Sequence, residues 1–269
     1  SAGGLGFHFK WNMGWMHDSL DYFATDPLFR GGCHDKLTFS IWYEWSEHFV
    51  MSLSHDEVVH GKGSLAGRMW GSTVEQRLAN LRLLLAWQML RPGKQLLFMG
   101  SELGSAREWD HDGSLDWHLA EEPAHAGLSR WLAELGALYQ AEPCFWRGDP
   151  DADSFRWIDC EDRDRSLLSF LRRWGDDAFV IVLNLTPVPR EALRLGVPQG
   201  CRALRSVLCS QDEAFGGEGV ELPARHEAED HAQHGLPASV RLDLPPLSAR
   251  VLAVELADGQ ALVLPEPDA

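Results

Sequence analysis

The sequence predicts an α/β fold with parallel strands that passes into an all-β antiparallel sandwich, and three observations predict it. Two short apolar runs, residues 49–53 and 95–100, are too short for helices and end abruptly in polar residues, as strands buried on both faces do. Stretches of helical period, 75–90 and 126–139, follow them, so strand and helix alternate. Beyond a Pro-, Gly- and Asp-rich segment near residues 143–153 the period changes to two, with turn residues between short runs.

In chain order, residues 11–24 space Met13, Met16, Leu20 and Phe23 on one helix face and stop near Asp26-Pro27. Residues 37–41, Leu-Thr-Phe-Ser-Ile, alternate like a strand, and Phe49–Leu53 is the next strand. The helix over 75–90 aligns Leu78, Leu81 and Leu85 and is ended by Pro92-Gly93. The strand over 95–100 runs into Ser101-Glu102, and the helix over 126–139 closes the first part. A domain boundary falls between 145 and 146. Short strands are expected over 166–172, 178–185, 203–208, 239–244 and 250–256, with the acidic, His-bearing stretch 211–237 as a long surface loop. There is no internal repeat.

The 269 residues carry a net charge of −16, which argues against nucleic acid and against an anionic membrane surface, since both recruit Lys and Arg. Twelve tryptophans offer flat amphipathic rings that suit sugar faces as well as core packing. Five cysteines without a C-x-x-C pair favour reduced thiols and a cytoplasmic setting. No apolar run approaches the roughly 18–20 residues that span a bilayer. The start, Ser1-Ala2-Gly3-Gly4-Leu5-Gly6, has neither Met nor a signal-peptide pattern, as expected of a fragment, a processed product or a chain carrying tag residues.

The chemistry concentrates in Ser54-His55-Asp56-Glu57-Val58-Val59-His60-Gly61-Lys62, directly after the apolar run. Asp56 would sit at the C-terminal end of a parallel strand, the face on which (β/α)8 enzymes build active sites. A zinc H-E-x-x-H reading fails, because His55 and His60 are five apart, about 140° around a helix. Glu57 and His60 have a di-iron spacing without the matching helices. No metal is expected. For Asp56 the alternative to catalysis is capping of the next helix.

Several runs carry a resemblance: Gly4 to Asp18 (GLGFHFKWNMGWMHD), His34-Asp35-Lys36-Leu37-Thr38-Phe39, Leu53 to Lys62, Arg107-Glu108-Trp109, Ser114-Leu115-Asp116-Trp117-His118, and Asn184 to Arg190 (NLTPVPR). In this order they resemble the glycogen and starch branching enzymes of the α-amylase family. The resemblance implies that residues 1–145 are the C-terminal part of a (β/α)8 TIM barrel, about strands 6–8, and that 146–269 form the C-terminal sandwich. It further implies that Asp56 is the third catalytic carboxylate, stabilising the transition state through hydroxyls of the cleaved sugar, and that His55 hydrogen-bonds the same ring. Trp109 is the expected stacking residue, with Asp110, Trp11, Asn12 and Glu57 as further substrate contacts.

Retaining chemistry also needs a nucleophile and an acid/base about 5–5.5 Å apart. The resemblance places both upstream of this chain. Phe155-Arg156-Trp157-Ile158-Asp159 imitates the nucleophile's motif with one residue too many, and Ala120-Glu121-Glu122 imitates the acid's without a preceding strand. The expected activity of the parent is transfer of an α-1,4-glucan segment to a 6-hydroxyl, making an α-1,6 branch without any cofactor, while this chain alone is inactive. The partner is an α-1,4-glucan such as amylose or glycogen. Two other readings stay open, an α-1,4-glucan hydrolase of the same family and a non-catalytic glucan-binding module.

Overall fold

A computed structural model describes residues 6–264. Its first part is a parallel sheet of three strands, β1 (Lys10–Trp11), β2 (Phe49–Leu53) and β3 (Lys94–Leu97), with helices between them. From β1 the chain enters α1 (Met13–Ala24), then 3₁₀ turns, α2 (Asp35–Thr38) and more 3₁₀ turns before β2. After β2 come α3 (Leu65–Arg68) and α4 (Val74–Leu90), then β3 (Lys94–Leu97) and α5 (Pro123–Ala141). β2 is central, pairing Lys10 with Phe49 on one side and Leu53 with Leu97 on the other. Met51, Ser52 and Leu53 are buried, as expected of a strand covered on both faces.

The stretch 37–41, expected as a strand, is instead helical: α2 continues into 3₁₀ turns over Phe39–Ser46. Leu37 and Ile41 are four apart and both buried, whereas Phe39 is 58% exposed, so the apparent alternation was a helical i, i+4 pair. The third parallel strand is Lys10–Trp11, two exposed residues with no periodic signature.

α4 begins at the cap Thr73, whose hydroxyl accepts from the Gln76 N–H, and it ends at Arg91, held extended by the following Pro92. Leu81, Leu83, Leu84, Leu85, Trp87 and Leu90 are all fully buried, so the helix is covered nearly all round. The Gln88 amide donates to the carbonyls of Met51 and Leu96, tying the helix to β2 and β3. Gly93 turns the chain into β3 at φ +105°, a conformation that side-chain-bearing residues rarely adopt, and a Cβ there would also crowd Met51 Cε at 2.7 Å, so the position favours glycine.

The second part holds β4 (Phe155–Asp159), β5 (Leu167–Trp174), β6 (Asp177–Asn184), β7 (Arg190–Val197), β8 (Cys201–Cys209), β9 (Arg225–Glu227), β10 (Ala238–Leu244) and β11 (Ser248–Leu256). Six form an antiparallel sheet in the order β4-β5-β6-β11-β8-β9, and β10 pairs with β7 in a smaller sheet. Along β6, Phe179, Ile181 and Leu183 join the core shared with α4 and α5. Ala178, Val180 and Val182 join a second core with Leu193, Leu195 and Val197 of β7 and Val240, Leu242 and Leu244 of β10. The large sheet is therefore sandwiched between helices and the small sheet, which is why β6 reads as an unbroken apolar run.

Of the stretch 211–237, expected as a surface loop, part is structural. Phe215 is buried and meets the Trp131 ring of α5 edge-on at 5.1 Å. Gly127 of α5 lets it approach, since a Cβ there would fall 2.5 Å from the Phe215 backbone. Buried arginines cross between the two parts. Arg172 of β5 donates to the carbonyls of Leu90, Cys144 and Phe145 and to Asp149, and Arg30 donates to Leu185 O, Phe23 O and Asn80. All five cysteines are free thiols. Among the described residues no helix is long and apolar enough to cross a membrane.

Candidate active site

The C-terminal ends of the three parallel strands converge on one face, and β2 delivers the titratable cluster there. After Leu53 the backbone makes one 3₁₀ turn, His55–Glu57, closed by a capping box. Ser54 Oγ accepts from the Asp56 N–H at 3.2 Å, while the Glu57 carboxylate accepts from the Ser54 N–H at 2.5 Å and the Ser54 hydroxyl at 2.8 Å. This reciprocal closure sends Glu57 inward and leaves the His55 and Asp56 side chains about half exposed (53% and 55%), with Nε2 and Oδ1 3.4 Å apart.

The loop beyond β3 supplies the wall beside them. The His55 ring lies 5.9 Å from that of Phe98, and Phe98 meets Trp109 edge-to-face at 5.1 Å. The Phe98 N–H donates to Leu53 O, and the Trp109 N–H donates to Val58 O, so both rings are registered against the β2 turn by main-chain bonds. The half-buried Trp109 helps line a small cavity of about 50 Å³ with Val58, Ser64, Met99 and Asp116.

A second carboxylate organises this loop. Glu108 accepts from the Gly61 N–H at 2.9 Å and the Gly63 N–H at 2.7 Å, bonds that hold its carboxyl below the usual range. His60, Gly61 and Gly63 all have positive φ, so the turn they form depends on that clamp and on glycine. Lys62 then reaches back to donate to the Asp56 carbonyl at 2.7 Å. Arg107 pairs with Asp116 at 2.8 Å, bracing the outer side of the loop.

The expected contacts divide. His55, Asp56 and Trp109 come together on one face; Trp11 is 42% exposed at the end of β1, on the same end of the sheet. Glu57 and Asn12 correct the expectation of substrate contact, for both are buried caps. Asn12 Oδ1 accepts from the Trp15 N–H at 3.0 Å and the Tyr43 hydroxyl at 3.1 Å, which starts α1. The Ser-x-x-Glu spacing of Ser54 and Glu57 is itself a capping-box signature and would have marked Glu57 as structural. The Glu108 clamp carries no comparable signal, because its partners are main-chain amides 45 and 47 residues away.

Asp110 is exposed and accepts from the Asp112 N–H at 3.0 Å. With His111 these two form the one described group of three side chains able to share a cation, on a fully exposed turn of a kind common without an ion. Asp159 lies on β4 of the antiparallel sheet, 3.4 Å from His234, and Glu122 lies 3.8 Å from His125 at the start of α5. Asp159 therefore belongs to the antiparallel sheet and not to the face that carries Asp56, and Glu122 sits at the start of a helix without a preceding strand.

Residues 157–255 match the family described as alpha amylase, C-terminal all-beta domain. The chain is 51% identical over 247 residues to the 1,4-alpha-glucan branching enzyme GlgB of Cereibacter sphaeroides, covering 91% of this chain and 34% of that protein. It is 47% identical over 256 residues to the enzyme of the same name from Aquifex aeolicus, covering 94% and 40%. The chain thus spans between a third and two fifths of the length of these relatives. Among solved structures, AmyP in complex with maltose matches with TM-score 0.63 at 15% identity, over 96% of this chain and 52% of that one. A debranching enzyme from Nostoc punctiforme matches with TM-score 0.57 at 14% identity, over 91% and 47%. At such identities these two speak for the fold alone. Over more than nine tenths of its length the chain is thus similar to part of the 1,4-alpha-glucan branching enzymes, and its residues 157–255 match the C-terminal all-beta domain of the alpha amylases.

Proposed function

We propose that this chain supplies the transition-state-stabilising side of a glucan branching site, and the observation that carries the reading is the placement of His55 and Asp56 at the C-terminal end of β2 beside Phe98 and Trp109. In the parent protein an α-1,4 linkage is cleaved with retention. A nucleophilic carboxylate displaces the reducing-side segment, whose leaving oxygen takes a proton from the general acid. The resulting glycosyl-enzyme is then attacked by a 6-hydroxyl of another chain, which returns its proton to the same group and forms the α-1,6 branch.

Asp56 accepts hydrogen bonds from hydroxyls of the cleaved sugar, bonds that tighten as the ring flattens toward an oxocarbenium ion. His55 holds the same ring, and Trp109 supplies an aromatic ring for stacking. The capping box and the Glu108 clamp act on position alone: they hold the Asp56 turn and the neighbouring loop so that little reorganisation is needed in the transition state.

The same reading takes residues 1–145 as the last part of a (β/α)8 barrel and 146–269 as the C-terminal sandwich domain. Two observations support it. Among the described residues β1 and β3 each pair on one side only, as interrupted members of a closed sheet would. Large apolar side chains also stand exposed around that sheet, among them Phe9 at 54%, Phe39 at 58% and Trp42 at 87%. The nucleophile and acid then belong to the remainder of the longer parent, and free thiols fit a cytoplasmic enzyme.

The test is Asp56→Ala in the parent, assayed on amylose by iodine staining and by α-1,6 linkages formed. Branching is expected to fall by roughly a thousandfold or more, the scale of several kcal/mol of lost stabilisation, with glucan binding largely kept. Near-normal turnover would refute the role.

A further inference from the structure

The turn that presents Asp56 is held by its carbonyls as well as by its cap. A single 3₁₀ turn satisfies few of its own carbonyls, and those at its C-terminal end need partners from elsewhere. The His55 carbonyl accepts from the Val58 N–H at 3.0 Å within the turn, and each of the next three is taken by a donor from outside it. Lys62 Nζ donates to Asp56 O at 2.7 Å, Arg68 Nη1 to Glu57 O at 3.3 Å, and the Trp109 N–H to Val58 O at 3.0 Å. The shortest of these bonds grips the peptide of Asp56 itself.

Lys62 is exposed, and a lysine stem is flexible, so holding its ammonium on one carbonyl costs rotamer entropy. That cost is reduced by a fixed main chain beneath it. Lys62 lies between Gly61 and Gly63, at φ +80° and +77°, and both glycine amides donate to the Glu108 carboxylate. Glu108 thereby sets the direction in which the Lys62 side chain leaves the loop. The next residue, Trp109, holds Val58 O through its own N–H. Two adjacent residues beyond β3 thus reach the Asp56 turn twice, once directly and once through Lys62.

We propose that Lys62 is a positioning residue for the reaction, which aims Asp56 at the cleaved sugar and ties that aim to the loop carrying Trp109. The role rests on the assignment of Asp56 above. Lys62 holds the peptide plane that contains the Asp56 Cα, and a rotation of that plane swings the carboxylate. A displacement of ~1 Å at a stabilising group can cost about 100-fold in rate. Its signature is a fall in kcat with KM little changed, since the lost interaction belongs to the transition state.

The experiment is steady-state branching of amylose by variants of the parent. Lys62→Met keeps the stem and removes the donor, and kcat is expected to fall about tenfold with KM within about twofold of the unmodified value. The melting temperature should be nearly unchanged, because the side chain is exposed. Lys62→Arg keeps a donor of similar reach and should recover most of the loss. Combined with Glu108→Gln, Lys62→Met should lose less than the product of the two single losses, because both act through one turn. An unchanged kcat in Lys62→Met, or a loss carried by KM, overturns the positioning role, and a double variant that loses the full product overturns the tie to the loop. Asp56→Ala, measured alongside, separates this from the branching reading. Loss of branching there with a fully active Lys62→Met refutes the positioning role alone, whereas near-normal turnover in Asp56→Ala refutes both.

Discussion

Ser54 and Glu57 hold each other across the turn that carries Asp56, the hydroxyl and N–H of one bonded to the carboxylate of the other at 2.8 and 2.5 Å. The exposed carboxylate is therefore presented by a buried one.

Replacing Glu57 with Ala removes the acceptor of a buried N–H and hydroxyl. Stability is expected to fall by about 1–3 kcal/mol, the cost of an unpaired buried donor plus a lost cap. Urea unfolding of the chain measures it. In the parent the same change should lower turnover more than substrate affinity, because it moves Asp56 without removing it.

Glu108 gives an acid-sensitive clamp. Its carboxyl is held below the usual range by the Gly61 and Gly63 amides, so its contribution is complete above the ordinary value near 4.5 and is lost as pH falls through the lower folded value. The amide proton shifts of Gly61 and Gly63 should titrate together below pH 4.5, and Glu108→Gln should abolish that titration. Flat shifts in the unmodified chain would contradict the clamp.

His226 predicts a second acid effect in the sandwich. Burial, and then the Arg250 guanidinium 3.1 Å from its Nε2, hold its pKa below the usual 6.5. The other ring nitrogen lies 2.9 Å from the Arg241 carbonyl, which suits a neutral ring donating from Nδ1 and accepting from Arg250 at Nε2. The unfolded chain takes up this proton first, so stability declines as pH drops from 6.5 toward the lower folded value. His34 and His234 are shifted the same way and add to the slope. Thermal melts between pH 7.5 and 5 should show it, and His226→Gln should flatten the curve.

The buried pair Arg91 and Glu44 should respond asymmetrically. Glu44→Ala strands a fully buried guanidinium and is expected to cost about 3–5 kcal/mol, whereas replacing both partners by apolar residues of similar size costs much less. Guanidinium unfolding of the single and double variants decides this, and equal losses would count against a coupled pair.

How much of this is legible in the chain itself follows from what each segment leaves visible. The run at Phe49–Leu53 announces itself because a strand covered on both faces needs nearly unbroken apolar sequence, whereas Lys94–Leu97 is half-buried and shows through Leu96-Leu97 and the Pro92-Gly93 helix end before it. Residues 37–41 mislead because Leu37 and Ile41 satisfy two periods at once. Lys10–Trp11 hides because a two-residue edge strand has no period, and β7 because its first half, Arg-Glu-Ala, is exposed or partly exposed. At the site, residue type and position bring His55, Asp56 and Trp109 together, but burial divides them from Glu57 and Asn12, and burial is a tertiary property.

The double-sided burial of the large antiparallel sheet bears on any attempt to treat the all-β half as an exchangeable module. Ile181 and Leu183 lie in one core with Leu81, Leu85 and Trp87 of the helix whose Gln88 amide grips Met51 and Leu96. A graft that replaced β6 would uncover that helix and, through it, loosen the two strands whose ends present His55 and Phe98. Transplanting the sandwich from a distant relative should therefore alter catalysis unless the residues of β6 and β11 that face α4 travel with the helix.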